Sequence, residues 1–222
     1  MSLVELRKSP IHGNGVFAMV NIKKDTKICY YDGEDKNILD CLNEQTQDFI
    51  YLLKHPNMKL IRDGYREPKS EIGVGQFINE AYFPNLDLPN TIYEDSFSEL
   101  RDFFLDCEKK SSIIKNVAFR KDGELFWLYA TRDINKGDEL LMTYGGGYWV
   151  LYYLHRCQNI LWRFILFKLL MKENNISDKD AIKIINGILG ENSDIWKIIN
   201  IDEKLSPSEK IKQLSLFLRI TN

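Results

Sequence analysis

The sequence predicts an α+β chain, built from short strands up to about residue 149 and from helices after it. Three features carry that expectation. Up to residue 149, short runs rich in β-branched and aromatic residues end at glycine-containing turns, as in "KICYYDGE" and "NVAFRKDGELFWLYA". One stretch among them, "DSFSELRDFFLDCEKK", instead spaces Phe97, Leu100, Phe103, Phe104 and Cys107 near the helical period. From Val150 the character changes: "VLYYLHRCQNILWRFILFKLL" is apolar on nearly every side, which predicts a helix buried against something.

Taken in order, "GVFAMVNI" reads as a strand, "KKDT" as a turn and "KICYYDGE" as a second strand ending at Asp32-Gly33. Residues 36–48 read as a short helix. "FIYLLKHPNMKLIRDG" reads as a hairpin, with two apolar runs flanking His55-Pro56-Asn57. Residues 82–115 form an insertion in which Asp87 to Glu108 carries seven acidic side chains and one basic one, Arg101, the pattern of an acidic amphipathic helix. Such a helix is either a solvated face or an attractive rim for a lysine-rich partner. Lys121-Asp122-Gly123 and Asn135-Lys136-Gly137 are turns. The helical region runs from Val150 to Lys172, then through "ISDKDAIKIINGIL", opened by Ser177 with Asp180 three residues on. It ends in "SPSEKIKQLSLFLRI", where Ser206 caps, Pro207 suits the first helical position and Glu209 completes a capping box. The expected division is a β-rich domain over 1–149 and a helical extension over 150–222.

The totals narrow the function classes. A chain of 222 residues, 44% hydrophobic and 28% charged, is sized and composed for one globular domain plus an extension. A net charge of −2 gives no footprint for nucleic acid. Cys29, Cys41, Cys107 and Cys157 form no C-x-x-C pair and stand far in sequence from the histidines, so neither a zinc site nor a secreted disulfide framework is expected. "MSLVELRKSP" lacks the apolar core of a signal peptide. His155, Arg156, Gln158, Asn159, Arg163 and Lys168 interrupt the most apolar segment, which argues against a membrane span. The expected location is intracellular.

Two glycine-rich stretches stand out. "HGNGVFA", His12 to Ala18, matches the loose dinucleotide fingerprint G-x-G-x-x-A. That fingerprint needs a helix to receive the pyrophosphate, and here a strand follows, so the glycines serve a plain turn or a loop laid against a small ligand. "LLMTYGGGYWV" sets a phenol beside three glycines. By itself it reads as a strand ending in a glycine bend.

Four segments in order, "SPIHGNGVFA", "ICYYDGE", "GQFINEAYFPN" and "NVAFRKDGELFWLYATRDINKGDELLMTYGGGYW", resemble the SET-domain family of S-adenosylmethionine-dependent protein lysine methyltransferases. The resemblance covers roughly residues 3–149. It implies a SET β-clip: several short, mostly antiparallel sheets with a pseudoknot, followed here by the helical extension. It also implies site residues. Gly13 and Gly15, with His12 and Asn14 between and beside them, match the glycine motif whose backbone approaches the cofactor. Asn79, with Glu80 after it, matches the family's cofactor-binding asparagine segment. Tyr144 matches the catalytic tyrosine, and Tyr31 and Tyr51 fall near tyrosines that line the lysine channel. Tyr148 or Trp149 would cover the cofactor or the channel.

The chain departs from the family pattern in several places. Glu80 stands where a histidine is usual. Either Asn85 or Asn116 fills the second asparagine position. Met142 occupies a position where Phe or Tyr often limits methyl count. The zinc-binding cysteine tail of many members is absent, so the extension would close the site and no metal is implied.

The resemblance implies S-adenosylmethionine as cofactor, S-adenosylhomocysteine as product, and a lysine-containing protein as substrate, a histone tail such as H3 by analogy. A histone substrate would imply the nucleus. No nucleic acid or membrane partner is implied, and the C-terminal helices are candidates for a homodimer interface. Two other readings stay open: a SET-like peptide-binding or scaffold module with weak or no turnover, and a methyltransferase for non-histone lysines.

Overall fold

The computed structural model describes residues 2–37, 51–54, 60–86 and 96–156, together with residues 162, 165–166, 168–169, 204–206, 208–210 and 212–213. The chain packs as two compact units. One comprises Met1–Lys36, Ile50–Pro84 and Asp106–Tyr144, the other Asn37–Phe49, Asn85–Leu105 and Gly145–Asn222.

The first unit is made of small sheets, none closed into a barrel among the described residues. β1 (Val4–Lys8) and β2 (Asn14–Ala18) pair antiparallel, from Val4 opposite Ala18 to Lys8 opposite Asn14. β3 (Lys27–Tyr31) pairs with β9 (Leu125–Ala130), which pairs on its other side with β8 (Val117–Asp122). β4 (Gly33–Asn37), β5 (Leu52–Lys54) and β6 (Leu60–Gly64) form a third sheet with β6 in the middle. β7 (Asn79–Glu80) pairs in parallel with β10 (Leu141–Met142), laying two segments 62 residues apart side by side.

Local chemistry accounts for these elements. In β9, Phe126, Leu128 and Ala130 are buried while Leu125, Trp127 and Tyr129 are half-buried, the period of two that a strand imposes. The β8–β9 hairpin turns at Gly123, whose φ of +63° a side chain would resist. The expected hairpin of residues 49–64 is present as β5 and β6, with Leu53 opposite Arg62. Its tip at His55-Pro56-Asn57 lies outside the described residues. A core of Val16, Cys29, Ile78, Val117, Leu128 and Leu140 joins the sheets, each side chain contributing about 1.5–3 kcal/mol on burial.

β4 continues the chain where the sequence suggested a strand end followed by a helix. Pairing with β6 explains the difference. A Cβ on Gly33 would stand 2.3 Å from the Asp63 carbonyl oxygen, so bare backbone is what permits the approach. The remainder of the expected 36–48 helix lies outside the described residues, as does the helix expected at "ISDKDAIKIINGIL".

The inserted acidic helix is α1 (Ser96–Ile114). Leu100, Phe104, Cys107 and Ser111 are its buried stripe, at helical spacing, and Glu99, Asp102, Asp106 and Glu108 are exposed. The second helix, α2 (Gly146–Arg156), begins earlier than the sequence suggested: Gly146 and Gly147 are its first two residues, and Gly145 alone has a positive φ, +86°. In the second unit, Tyr148, Trp149, Tyr152 and Tyr153 pack ring against ring, with Tyr153 also 6.1 Å from Phe104. Trp162, Ile165, Leu166 and Leu169 are buried at i, i+3, i+4 and i+7 spacing. The Ser206–Glu209 capping box is present: Glu209 N–H donates to Ser206 Oγ at 3.3 Å, and Ser206 N–H to Glu209 Oε2 at 2.9 Å. No helix among the described residues is long and apolar enough to cross a membrane.

Burial pushes the Cys29 thiol up from 9.0 to about 12. As pH rises above about 9 an unfolded chain releases this proton and the folded chain keeps it, so the associated stability is lost between about pH 9 and 12. At about pH 8.5 we expect Cys29 to resist iodoacetamide in the folded protein and to react once guanidinium unfolds it. Mass spectrometry of the alkylated peptides reads the difference, and rapid labelling of native Cys29 would contradict the prediction.

Candidate functional site

The first part of the site is a loop clasped from below. Strand β2 is held by β1 on one side and by residues 137–140 on the other, where Leu140 N–H donates to Val16 O at 2.8 Å and Ala18 N–H to Asp138 O at 2.9 Å. This register brings Glu139 beneath Gly15. A Cβ on Gly15 would lie 2.2 Å from Glu139 Oε1, so a side chain there would displace that carboxylate. Gly13, at φ +53°, makes the turn, and nothing lies within 4 Å of where its Cβ would be.

Asn79 reaches this loop from β7. Its Nδ2 donates to His12 O at 3.1 Å, Asn14 O at 3.2 Å and Glu139 Oε1 at 2.8 Å. Ser9 Oγ donates to Glu139 Oε2 at 3.0 Å and accepts from Ile11 N–H at 2.9 Å. His12, Gly13, Asn14, Gly15 and Asn79, separate in the sequence, are therefore one cluster. His12 and Asn14 join it through backbone carbonyls.

The second part is centred on Tyr144, directly after β10. Its hydroxyl donates to Ile78 O at 2.7 Å, the residue before Asn79. Its backbone N–H donates to Glu80 Oε2 at 2.6 Å, the residue after. Glu80 Oε1 accepts from Ala81 N–H at 3.0 Å, Tyr82 N–H at 3.4 Å and Ser111 Oγ. Glu80 is buried, and the bonds to its carboxylate run to the backbone of Tyr144, to its own strand end and to α1. Burial pushes the Tyr144 phenol well above its ordinary range, and the nearby Tyr31, Glu80, Tyr51 and Glu139 disfavour its ionisation further.

Tyr31 and Tyr51 form the third part. Tyr31 Oη donates to Tyr51 O, and Tyr51 sets its ring edge-on to Phe77, 5.9 Å between centroids. A Cβ on Gly64 would stand 2.9 Å from Tyr31 Oη, so that glycine clears the space for the phenol. Met142 is half-buried and packs on the core. Asn116, buried, bridges strands: its Nδ2 donates to Glu139 O at 2.8 Å and its Oδ1 accepts from Leu141 N–H at 2.7 Å. Asn85 is exposed. Trp149 belongs to the second unit, where it is buried among the tyrosines of α2. No group of three or more His, Cys, Asp or Glu able to hold a metal occurs among the described residues.

Sequence reasoning did not single out Glu139, Ser9 or Ile78. Glu139 sits in "NKGDELL" like any surface carboxylate, and Ile78 acts only through its backbone oxygen. Asn116 was one of two candidates, and nothing local distinguished it from Asn85.

Comparison with known proteins adds the family. No curated protein sequence matches the chain significantly. Among solved structures, the methyltransferase domain of human PR domain-containing protein 2 is 17% identical, with a TM-score of 0.40 over 65% of this chain and 78% of that one. A Plasmodium falciparum protein provisionally named a histone methyltransferase is 22% identical, with a TM-score of 0.36 over 67% of this chain and 98% of that one. KRYPTONITE, in a complex with mCHH DNA, an H3(1–15) peptide and SAH, is 17% identical, with a TM-score of 0.39 over 64% of this chain and 23% of that one. The family model of the SET domain matches residues 13–145, from the glycine loop to the residue after Tyr144, and the chain belongs to the SET-domain family.

Proposed function

We propose that this protein is a protein-lysine N-methyltransferase that uses S-adenosylmethionine and acts on a lysine-rich protein segment such as a histone tail. One observation supports the reading above the others. The Tyr144 hydroxyl is bonded to Ile78, next in the chain to Asn79, and Asn79 is bonded to the His12–Asn14 loop, so a continuous run of bonds links the phenol to the glycine loop.

The residues present fit the cofactor. The loop offers bare backbone at Gly13, with open space on its Cβ side. Asn79 Oδ1 makes no hydrogen bond among the described residues and is available as an acceptor. When bound, S-adenosylmethionine supplies a sulfonium-activated methyl for in-line displacement by a neutral amine.

The protein's own task is to deliver that amine. A free lysine has a pKa near 10.4, so only about one part in 2,500 is neutral near pH 7, a handicap of roughly 4–5 kcal/mol. A channel walled by Tyr31, Tyr51 and Tyr144 would strip water from the ammonium and lower that pKa. Tyr144 stays a neutral phenol, so it orients the amine by hydrogen bonding and does not remove its proton. The proton then leaves to water. The exposed carboxylates of α1 would raise the encounter rate with a basic tail more than the final affinity. A nuclear location follows for a histone substrate.

Calorimetry with S-adenosylmethionine, followed by mass spectrometry of a histone mixture after reaction, tests the proposal. We expect cofactor binding and a methylated lysine. Cofactor binding without any transfer to histones would favour a non-histone substrate, and no cofactor binding would overturn the proposal in favour of a peptide-binding module.

A further inference from the structure

We propose that Glu139 is the positioning residue of the cofactor loop: it fixes the Asn79 amide so that Oδ1 is presented as an acceptor, and Gly15 is glycine to admit its carboxylate. The inference rests on the function proposed above. The Nδ2 group faces three oxygens, at 2.8, 3.1 and 3.2 Å, and one of them belongs to a carboxylate. Turning the amide over would set Oδ1 against all three, the charged one most strongly, so the observed orientation is the one without repulsion. Oδ1 is then left for an N–H donor of the cofactor.

Glu139 is itself held at both oxygens. Ser9 Oγ occupies Oε2, and Ser9 in turn accepts from the N–H of Ile11 within the same loop. The carboxylate thus joins Ser9, Asn79 and the His12–Asn14 backbone, segments 60 and 130 residues from it in sequence. Above it stands Gly15, where a Cβ would be 2.2 Å from Oε1, 2.9 Å from Cδ and 3.0 Å from Ser9 Cβ. Because Gly15 is extended in β2, with no positive φ to require glycine, space for Glu139 is the reason the structure gives for it.

The test is a double-mutant cycle on the full chain. Glu139→Ala is expected to weaken S-adenosylmethionine binding by calorimetry about ten- to a hundredfold, with kcat at saturating cofactor within about threefold. Glu139→Gln, whose amide oxygen still accepts from Nδ2, should recover most of the affinity. Gly15→Ala should mimic Glu139→Ala, and the double variant should be no weaker than Gly15→Ala alone, because removing the carboxylate frees space for the new methyl. Denaturant unfolding of the wild type, Glu139→Ala, Gly15→Ala and the double variant reads the Gly15–Glu139 coupling without cofactor, with Gly15→Ala costing less in the Glu139→Ala background. Unchanged affinity in Glu139→Ala, or effects that simply multiply in both readouts, would overturn the inference. A wild type that binds no cofactor but keeps the unfolding coupling refutes the proposed function and Asn79's part in it, while retaining the fit of Gly15 to Glu139.

Discussion

Tyr144→Phe is expected to lower methyl transfer about a hundredfold or more while changing affinity for S-adenosylmethionine by no more than about threefold. The substitution removes one oxygen and keeps the ring. That oxygen donates to Ile78 O at 2.7 Å, which commits its proton, so toward an amine it acts as an acceptor. An amine held this way has its own lone pair directed along the displacement path, so the interaction matters most in the transition state and shows in kcat. The alternative role, a phenolate base, conflicts with the raised pKa that burial and the nearby Tyr31 and Glu80 impose. The pH profile separates the two. With a neutral Tyr144, the rate should climb with pH as the substrate amine deprotonates, and the phenylalanine variant should show the same profile at a lower level. Equal incorporation of labelled methyl by both proteins would remove Tyr144 from the mechanism. Loss of the bond to Ile78 should cost about 1–3 kcal/mol of stability, and denaturant unfolding of the variant checks that it is folded for the comparison.

The parts of this site differ in how well the sequence announced them. Glycines at turns were legible because their signal is local: Gly123 and Gly137 have positive φ as a turn requires. The strands flanking them were legible as short β-branched and aromatic runs ending at those turns, and α1 by its helical stripe. Tyr144, Asn79 and the Gly13–Gly15 loop were found through their order along the chain. What escaped is what depends on distant contact. Glu139 acts through Ser9 and Asn79, 130 and 60 residues away, and a carboxylate in "KGDELL" carries no mark of that. Gly33 read as a strand end because glycine weakens strands, yet here it lets two backbones meet. Gly146 and Gly147 read as a bend because glycine costs a helix about 1 kcal/mol each, but both lie in the first turn of α2, where Trp149 and Val150 just beyond are buried.

Glu80→Ala is expected to be the most destabilising single change in the site, by about 3–5 kcal/mol. Glu80 is 4% exposed, and its carboxylate collects the N–H of Tyr144, Ala81 and Tyr82 together with the hydroxyl of Ser111, itself 2% exposed. Truncation leaves those buried donors without an acceptor, at about 1–3 kcal/mol for each one that water cannot reach, and opens a cavity beside α1. Glu80→Gln should cost less than alanine, because it fills the same space and its amide oxygen can still take the Tyr144 N–H while the Ser111 hydroxyl rotates to accept from the new NH₂, although the Ala81 and Tyr82 N–H then lose their acceptor. Glu80→His, which restores the family's commoner residue, should fall near the alanine variant, since a neutral imidazole has one acceptor nitrogen for four donors. Chemical denaturation of the three variants gives this order directly, and a histidine variant as stable as wild type would contradict it. The same bonds tie stability to catalysis. Tyr144 N–H is anchored only 2.6 Å from Glu80 Oε2, while its hydroxyl is anchored to Ile78, two residues before Glu80 on the same strand segment. Releasing the backbone end lets the phenol drift. Glu80→Gln should therefore keep near-normal turnover at temperatures where Glu80→Ala, even when folded, has lost most of its kcat.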